Sequence, residues 1–421
     1  MVASTDIKFY VHTNNNAPQL TNNFGCMINV LDACLVNGIN IGIVSSLTAS
    51  GTTVTATFGT AHNLMQYQVI KIAGAAQAEF NGEHRILTIP DSSSLTFELA
   101  AVPSATTATG AISASLPPLG WEKPFNSTHS SGVGGKAAYR SLNLLLPNRP
   151  FLRVVDELDP AYTATYAKYA KVGIVEDMTD IDTMLGVQAP YDVANPNKNW
   201  VGTGAGTTAI NGWARWYYAR AMDADSSSGS DAAPPTTMNR QWLLIGNGDY
   251  FYILPSQASN VAAFAYGFGN FKSFLNMDIG NTFLASTFVN IAVNATSTSY
   301  FYNPLGKASI NEFNLVLLRG YAQAANYKAA ACLSLYVANS VIYSGTANYI
   351  GAASLASVAP FAPVFINEDV LRGELPNIYY LFQIRPYANL QLIERNGAIY
   401  IAKNVGNTGA QGQVVLKVVD L

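Results

Sequence analysis

Residues 43–58 read IVSSLTASGTTVTATF. Apolar and polar residues alternate on either side of Ser50-Gly51. Alternation with period two sends successive side chains to opposite faces of a strand, and a glycine between two such runs marks a hairpin. The same text continues downstream in QVIKIAG (68–74), FNGEHRILTIPDSSSLTFEL (80–99) and ATGAISASL (108–116). Short apolar runs separated by Gly, Asn and Pro turns predict a compact β-barrel or β-sandwich over 43–116.

Upstream of that unit, residues 1–16 read as a polar arm with one short strand, Ile7 to His12. Residues 24–38, FGCMINVLDACLVNG, carry Met27, Leu31, Cys34 and Leu35 at helical spacing and end on Gly38, which predicts a single helix. Downstream, Pro117-Pro118-Leu119-Gly120-Trp121 reads as a hinge. YRSLNLLL (139–146), PFLRVVDELD (150–159), WARWYYARAM (213–222) and WLLIGNGDYFYIL (242–254) read as strands, as do many short runs from 263 to 419, with LNLLL (142–146) open to a helical reading. Tyr and Ala recur at helical spacing over Tyr162–Lys171, where a short helix is predicted. Residues 378–404 read as a β-meander turning at Asn396-Gly397. The fold class is therefore mainly β, built of sandwich or barrel modules with one N-terminal helix. A small β domain at 43–116 is inserted in a larger body of 1–42 and 117–421, and the loop-rich text of 195–240 is a candidate further division.

Composition narrows function. The chain has 421 residues, of which only 12% are charged, against about 25% in ordinary soluble domains. Such a chain is expected to hide much of its surface in an assembly, or to live outside the cytosol. Lys and Arg number 23 against 26 Asp and Glu, a net charge of −3. The lack of any basic block speaks against nucleic-acid binding. No run of 18 apolar residues offers a membrane helix, and the N-terminus shows no apolar signal core.

Reactive residues are sparse. Cys26, Cys34 and Cys332 have neither metal-knuckle nor redox spacing and read as buried thiols. His12, His62, His84 and His129 are not spaced as a ligand pair. Gly202-Thr203-Gly204-Ala205-Gly206 precedes no helix, so it does not read as a phosphate cradle. Asn126-Ser127-Thr128 and Asn294-Ala295-Thr296 read as chance sequons. Glu176, Asp177, Asp180 and Asp182 form the densest acid cluster, a candidate cation site or acid pair set against a plain solvated turn. Tyr10, Trp213, Trp216, Tyr217 and Tyr218 are candidate interface residues, since aromatics are enriched at interface centres as well as in cores. No catalytic residue, cofactor or metal is expected, and the chain is read as a non-enzyme.

Several segments carry a family likeness. They are Leu31-Asp32-Ala33-Cys34-Leu35-Val36-Asn37-Gly38, the text from Val44-Ser45-Ser46-Leu47-Thr48 through Phe80-Asn81-Gly82-Glu83, Gly120-Trp121-Glu122-Lys123-Pro124-Phe125 and Ala138-Tyr139-Arg140-Ser141. Phe151-Leu152-Arg153-Val154, Met178-Thr179-Asp180-Ile181-Asp182 and Gly267-Phe268-Gly269-Asn270-Phe271 complete the set. In this order, over about residues 1–290, the chain resembles structural (virion) proteins of tailed bacteriophages, of neck, collar or tail-baseplate type. The resemblance implies assembly into the virion in the host cytoplasm, with copies of itself, as a trimer or higher ring, and with other virion proteins. Aromatic side chains and the arm 1–16 are the expected contacts. Capsid decoration is an alternative. So is a carbohydrate-binding or depolymerising role at a host-surface glycan, with Trp213 and Trp216 stacking sugars and Glu176, Asp180 or Asp182 as acid and base.

Overall fold

A computed structural model describes residues 3–205, 212–224, 231–287, 303–305, 315–333, 359–381, 385–407 and 410–421. Within them the chain is mainly β, with three sheets whose ladders are all antiparallel. The hairpin read at 43–58 is present. Strand Ile39–Ser50 pairs with Thr53–Phe58, and Ser50 faces Thr53 across a two-residue turn in which Gly51 takes φ 65°. These strands belong to a seven-stranded sheet that also holds Val69–Ala75, Gly82–Arg85, Thr88–Asp91, Ser94–Glu98 and Gly110–Leu116. Its strands pair only with one another. His84 stacks on Phe97 at 4.2 Å between ring centroids, so the sheet curls onto itself. Leu47, Val54, Ala56, Ile70, Leu95 and Phe97 fill the inside.

The second sheet has six strands: Trp121–Thr128, Gly135–Ser141, Phe151–Asp156, Lys168–Met178, Met184–Ala189 and Arg215–Ala219. The third has thirteen. It begins with Lys8–Val11 against Trp242–Gly246 and ends with the C-terminal hairpin Ala398–Asn407/Ala410–Asp420 and the edge strand Leu392–Arg395. Asn396 and Gly397 both take positive φ in the tight turn, as a two-residue hairpin of this kind requires. Strand Tyr250–Pro255 is buried on both faces. Phe251 and Ile253 pack toward the helix and the other sheets, while Tyr252 and Leu254 pack into a second core on the opposite face. That double burial explains a run that is apolar throughout rather than alternating.

Two helix expectations change. The helix over 24–38 is a short α-helix, Cys26–Leu31, followed by a wider π-turn, Asp32–Asn37, which stops at Gly38 with φ 78°. The helix has no side-chain cap of its own. Asp156, from a neighbouring strand, accepts the Met27 N–H at 3.0 Å and takes the role of an N-cap. Tyr162–Lys171 is not helical. Its last residues start the strand Lys168–Met178, which pairs with Arg215–Ala219, so the ladder overrides the local Tyr/Ala spacing. LNLLL (142–146) lies in a loop rather than a strand.

Candidate assembly surface

The aromatic candidates lie inside the chain. Trp216 is fully buried, stacks on Tyr266 at 5.9 Å and donates its indole N–H to the Ala285 carbonyl at 2.9 Å. Tyr218 donates to the Asp156 carboxylate at 2.6 Å, and Tyr217 donates to Asp231 at 2.6 Å. Tyr10 donates to the Pro117 carbonyl at 2.5 Å, and Trp213 is buried as well. Strand Arg215–Ala219 belongs to the six-stranded sheet, paired with Lys168–Met178, and all five of its residues are buried. These residues fill the core instead of lining an interface, and no sugar can stack on Trp213 or Trp216 there. Burial pushes the Asp156 carboxyl up to about 6, although its four hydrogen bonds pull it down.

The arm is engaged too. Arg85 donates to the Ser4 and Ile7 carbonyls, and Gln68 donates to the Phe9 carbonyl at 2.9 Å. With Phe9 and Val11 buried in their sheet, the arm works as a strand of its own chain.

Each acid of the 176–182 cluster has a structural partner. Glu176 accepts the Val187 N–H at 2.8 Å and pairs with Arg319. Asp180 accepts the Asp182 and Thr183 N–H groups at 2.9 Å each and closes the turn. Asp182 binds Lys136 and Arg153 at 2.8 and 2.7 Å, and Asp177 accepts the N–H of Met178. The four carboxylates point to separate partners rather than forming a pair. Among the described residues, no three metal-ligating side chains gather. A cleft of about 310 Å³ adjoins Asp182 and is lined by Arg153, Glu157, Asp159, Lys171 and Trp200. Four of its charges are paired: Lys171 with Asp159 at 2.6 Å and Arg153 with Asp182 at 2.7 Å, while the Arg153 guanidinium also lies over Trp200 at 4.4 Å. Cys26, Cys34 and Cys332 are free and buried, as read. Asn294 lies outside the described residues, as does Gly206.

The surface that sequence reasoning missed is built around Arg372. This side chain is fully buried. Its Nε and Nη2 grip Asp278 at 2.8 and 2.7 Å, and its Nη1 reaches Glu368 at 2.8 Å. The other Glu368 oxygen accepts the Tyr321 N–H. Asp278 also accepts from Ser273 and Gln323 at 2.6 and 3.0 Å. One guanidinium thus ties together loops 273–281, 320–323 and 367–372. Burial would raise both carboxyls. Ser273 and Arg372 outweigh it at Asp278, which sits below the usual range, whereas burial prevails at Glu368, which sits above it.

A fourth loop, 142–149, is fastened alongside. Asn148 donates to Ile279 O and accepts from Thr282 at 2.6 Å, and Asn143 donates to Asp249 at 2.7 Å. The fastened loops hold apolar side chains outward. Leu142 is 53% exposed, Leu144 77%, Leu145 93%, Met277 85% and Ile279 52%. The signal in the sequence was apolar text broken by Asn, Pro and Gly, LNLLLPN and FLNMDIG. The first of these read as a strand because its leucines fit one equally well.

No protein-family model matches the chain, and no curated protein matches it.

Proposed function

We propose that the chain is a structural subunit of a tailed-phage virion, a symmetric homo-oligomer at the neck, collar or tail apparatus that also contacts other virion proteins. The observation that carries this reading is the apolar surface on loops 142–149 and 273–281, presented rigidly by a chain with few charges. Solvent-facing leucines on a loop fixed by the Asn143 and Asn148 hydrogen bonds, beside a loop clamped by the buried ion cluster, are apolar surface of the kind a subunit interface uses. The ordered likeness over residues 1–290 supports the virion assignment. The engaged acids and buried aromatics speak against carbohydrate chemistry at those residues. In the same reading, 43–116 is an inserted module: its strands pair only with one another and both its ends enter the body. Light scattering on the purified protein tests the proposal. The expected mass is a multiple of 45.0 kDa, and a monomer at every concentration contradicts it.

A further inference from the structure

We propose that Lys171 and Asp159 join through an isopeptide bond, the amide formed when the lysine Nζ displaces one oxygen of the Asp159 carboxyl as water. The bond staples the loop after strand Phe151–Asp156 to strand Lys168–Met178. Neither residue belongs to the apolar surface on which the assembly reading rests.

Burial singles this pair out. Lys171 Nζ lies 2.6 Å from Asp159 Oδ2, and the two side chains are 4% and 2% exposed. In the other lysine–carboxylate pairs of the described residues, no side chain is less than 12% exposed. The buried arginines have no such route, because a guanidinium keeps its proton. Holding two ions out of water is costly, and condensation replaces both by one neutral amide.

Every hydrogen bond at the pair has a place in the reaction. Asp159 Oδ1 accepts the Ala161 N–H at 2.9 Å, and Oδ2 accepts the Gly202 N–H at 2.9 Å. The first donor meets the oxygen that carries negative charge when Nζ adds to Cγ, as in an oxyanion hole. The second meets the oxygen that leaves. Lys171 Nζ also donates to the Trp200 carbonyl at 2.5 Å, and the amide N–H keeps that bond. Both residues line the cleft of about 310 Å³, which receives the released water.

Burial pushes the Lys171 amine down, toward the neutral form that attacks. Burial would raise Asp159, but Lys171 and the N–H donors outweigh it and hold the carboxyl below its usual range, so the pair rests as ions. Reaction begins when Nζ passes the shared proton to Oδ2. The Nζ lone pair then bonds to Cγ, and the carbonyl electron pair moves onto Oδ1. A second proton goes from Nζ to Oδ2, the Cγ–Oδ2 bond breaks, and water leaves as the carbonyl reforms. One ammonium and one carboxylate become one amide and one water, with no oxidant and no cofactor. Glu157 lines the same cleft and its charge acts on Lys171, which places its carboxylate to carry the second proton.

Intact-mass spectrometry of the denatured full chain is the test. The wild-type protein is expected to be lighter than its encoded mass by one water, about 18 Da. Lys171→Arg keeps a cation for Asp159 but offers no nucleophile, and it is expected at its full encoded mass. Trypsin is expected to spare Lys171 in the wild type and to leave residues 154–168 joined to 169–198. Glu157→Gln is expected to lower the joined fraction in freshly purified protein. A wild-type chain entirely at its encoded mass, cleaved after Lys171, overturns the bond, and so does a loss of water that persists in Lys171→Arg. An unchanged joined fraction in Glu157→Gln overturns the part given to that carboxylate.

Discussion

Replacing Arg372 by Met probes the clamp that shapes the proposed surface. The guanidinium makes three charge-assisted hydrogen bonds, two to Asp278 and one to Glu368. The side chains of Arg372 and Glu368 are fully buried and that of Asp278 is 3% exposed. Removing the cation leaves two buried carboxylates without their counter-charge, and such loss costs about 3–5 kcal/mol at pH 7. By comparison, removing the exposed Lys272 from its pair with Glu374 is expected to cost less than about 1 kcal/mol. The pH dependence separates this mechanism from simple loss of packing. In the wild type the Asp278 pKa is lowered by folding. Its stabilising contribution is present above the ordinary Asp value of about 3.9 and is lost as pH falls through the folded value. In the variant the Ser273, Gln323 and Tyr321 hydrogen bonds remain, but no buried cation opposes burial, so both carboxyls move up from their wild-type positions. They bind protons on folding, so the penalty eases as pH falls from 7 toward 4. The difference between the two proteins should therefore shrink on acidification. Guanidinium unfolding at pH 7, 5 and 4 measures it, and hydrogen exchange of peptides 273–281 and 367–372 localises it, since a chain of this size need not unfold in one step. The triple variant Arg372→Met/Asp278→Asn/Glu368→Gln should recover much of the loss, because no buried charge remains. A loss below about 1 kcal/mol at pH 7, unchanged loop protection, or a difference that widens with acid would refute the reasoning.

Two further outcomes follow from the core. Folding raises the Asp156 carboxyl to about 6 from an ordinary 3.8. Its contribution is therefore full below about pH 4 and is lost as pH rises through 6, a change of roughly 3 kcal/mol by pH 7. Asp156→Asn removes that slope, so the variant should gain stability relative to wild type between pH 4 and 7 in denaturant titrations; a constant difference contradicts the assignment. Trp216→Ala should cost about 3–5 kcal/mol through the cavity and the orphaned Ala285 carbonyl, without altering the oligomer's mass in any sample that remains folded. A change of mass with unchanged stability would return Trp216 to the surface.

The sequence made the strands legible where local rules and tertiary packing agree. The turns at Gly51 and Asn396-Gly397 require positive φ, and the residues present supply it. The alternation of 43–58 and the doubly apolar text of 250–255 both reflect which faces are buried. Local spacing misled where distant partners decide. Met27 through Leu35 share helical spacing, yet the helix gives way to a wider turn at Asp32, whose side chain is held by Lys123 at 2.6 Å and by Tyr139 at 2.8 Å. The tyrosines of 162–169 match a helix, but the partner strand Arg215–Ala219 claims the last of them. The acid cluster was legible as a cluster and its purpose was not, because Glu176 finds its cation 143 residues away at Arg319. The same holds for Asp278 and Arg372, 94 residues apart. Aromatic density at 213–218 reports burial and interfaces alike, so sequence alone left the two open.

Hydrogen exchange of the wild-type protein, compared between dilute and concentrated samples, tests the central claim most directly. If copies of the chain meet through the clamped loops, peptides covering 142–146 and 274–279 gain protection as the oligomer forms, while the core strands around Trp216 and the arm at 8–11 exchange alike in both. Association that protects other segments and leaves these two unchanged would contradict the account.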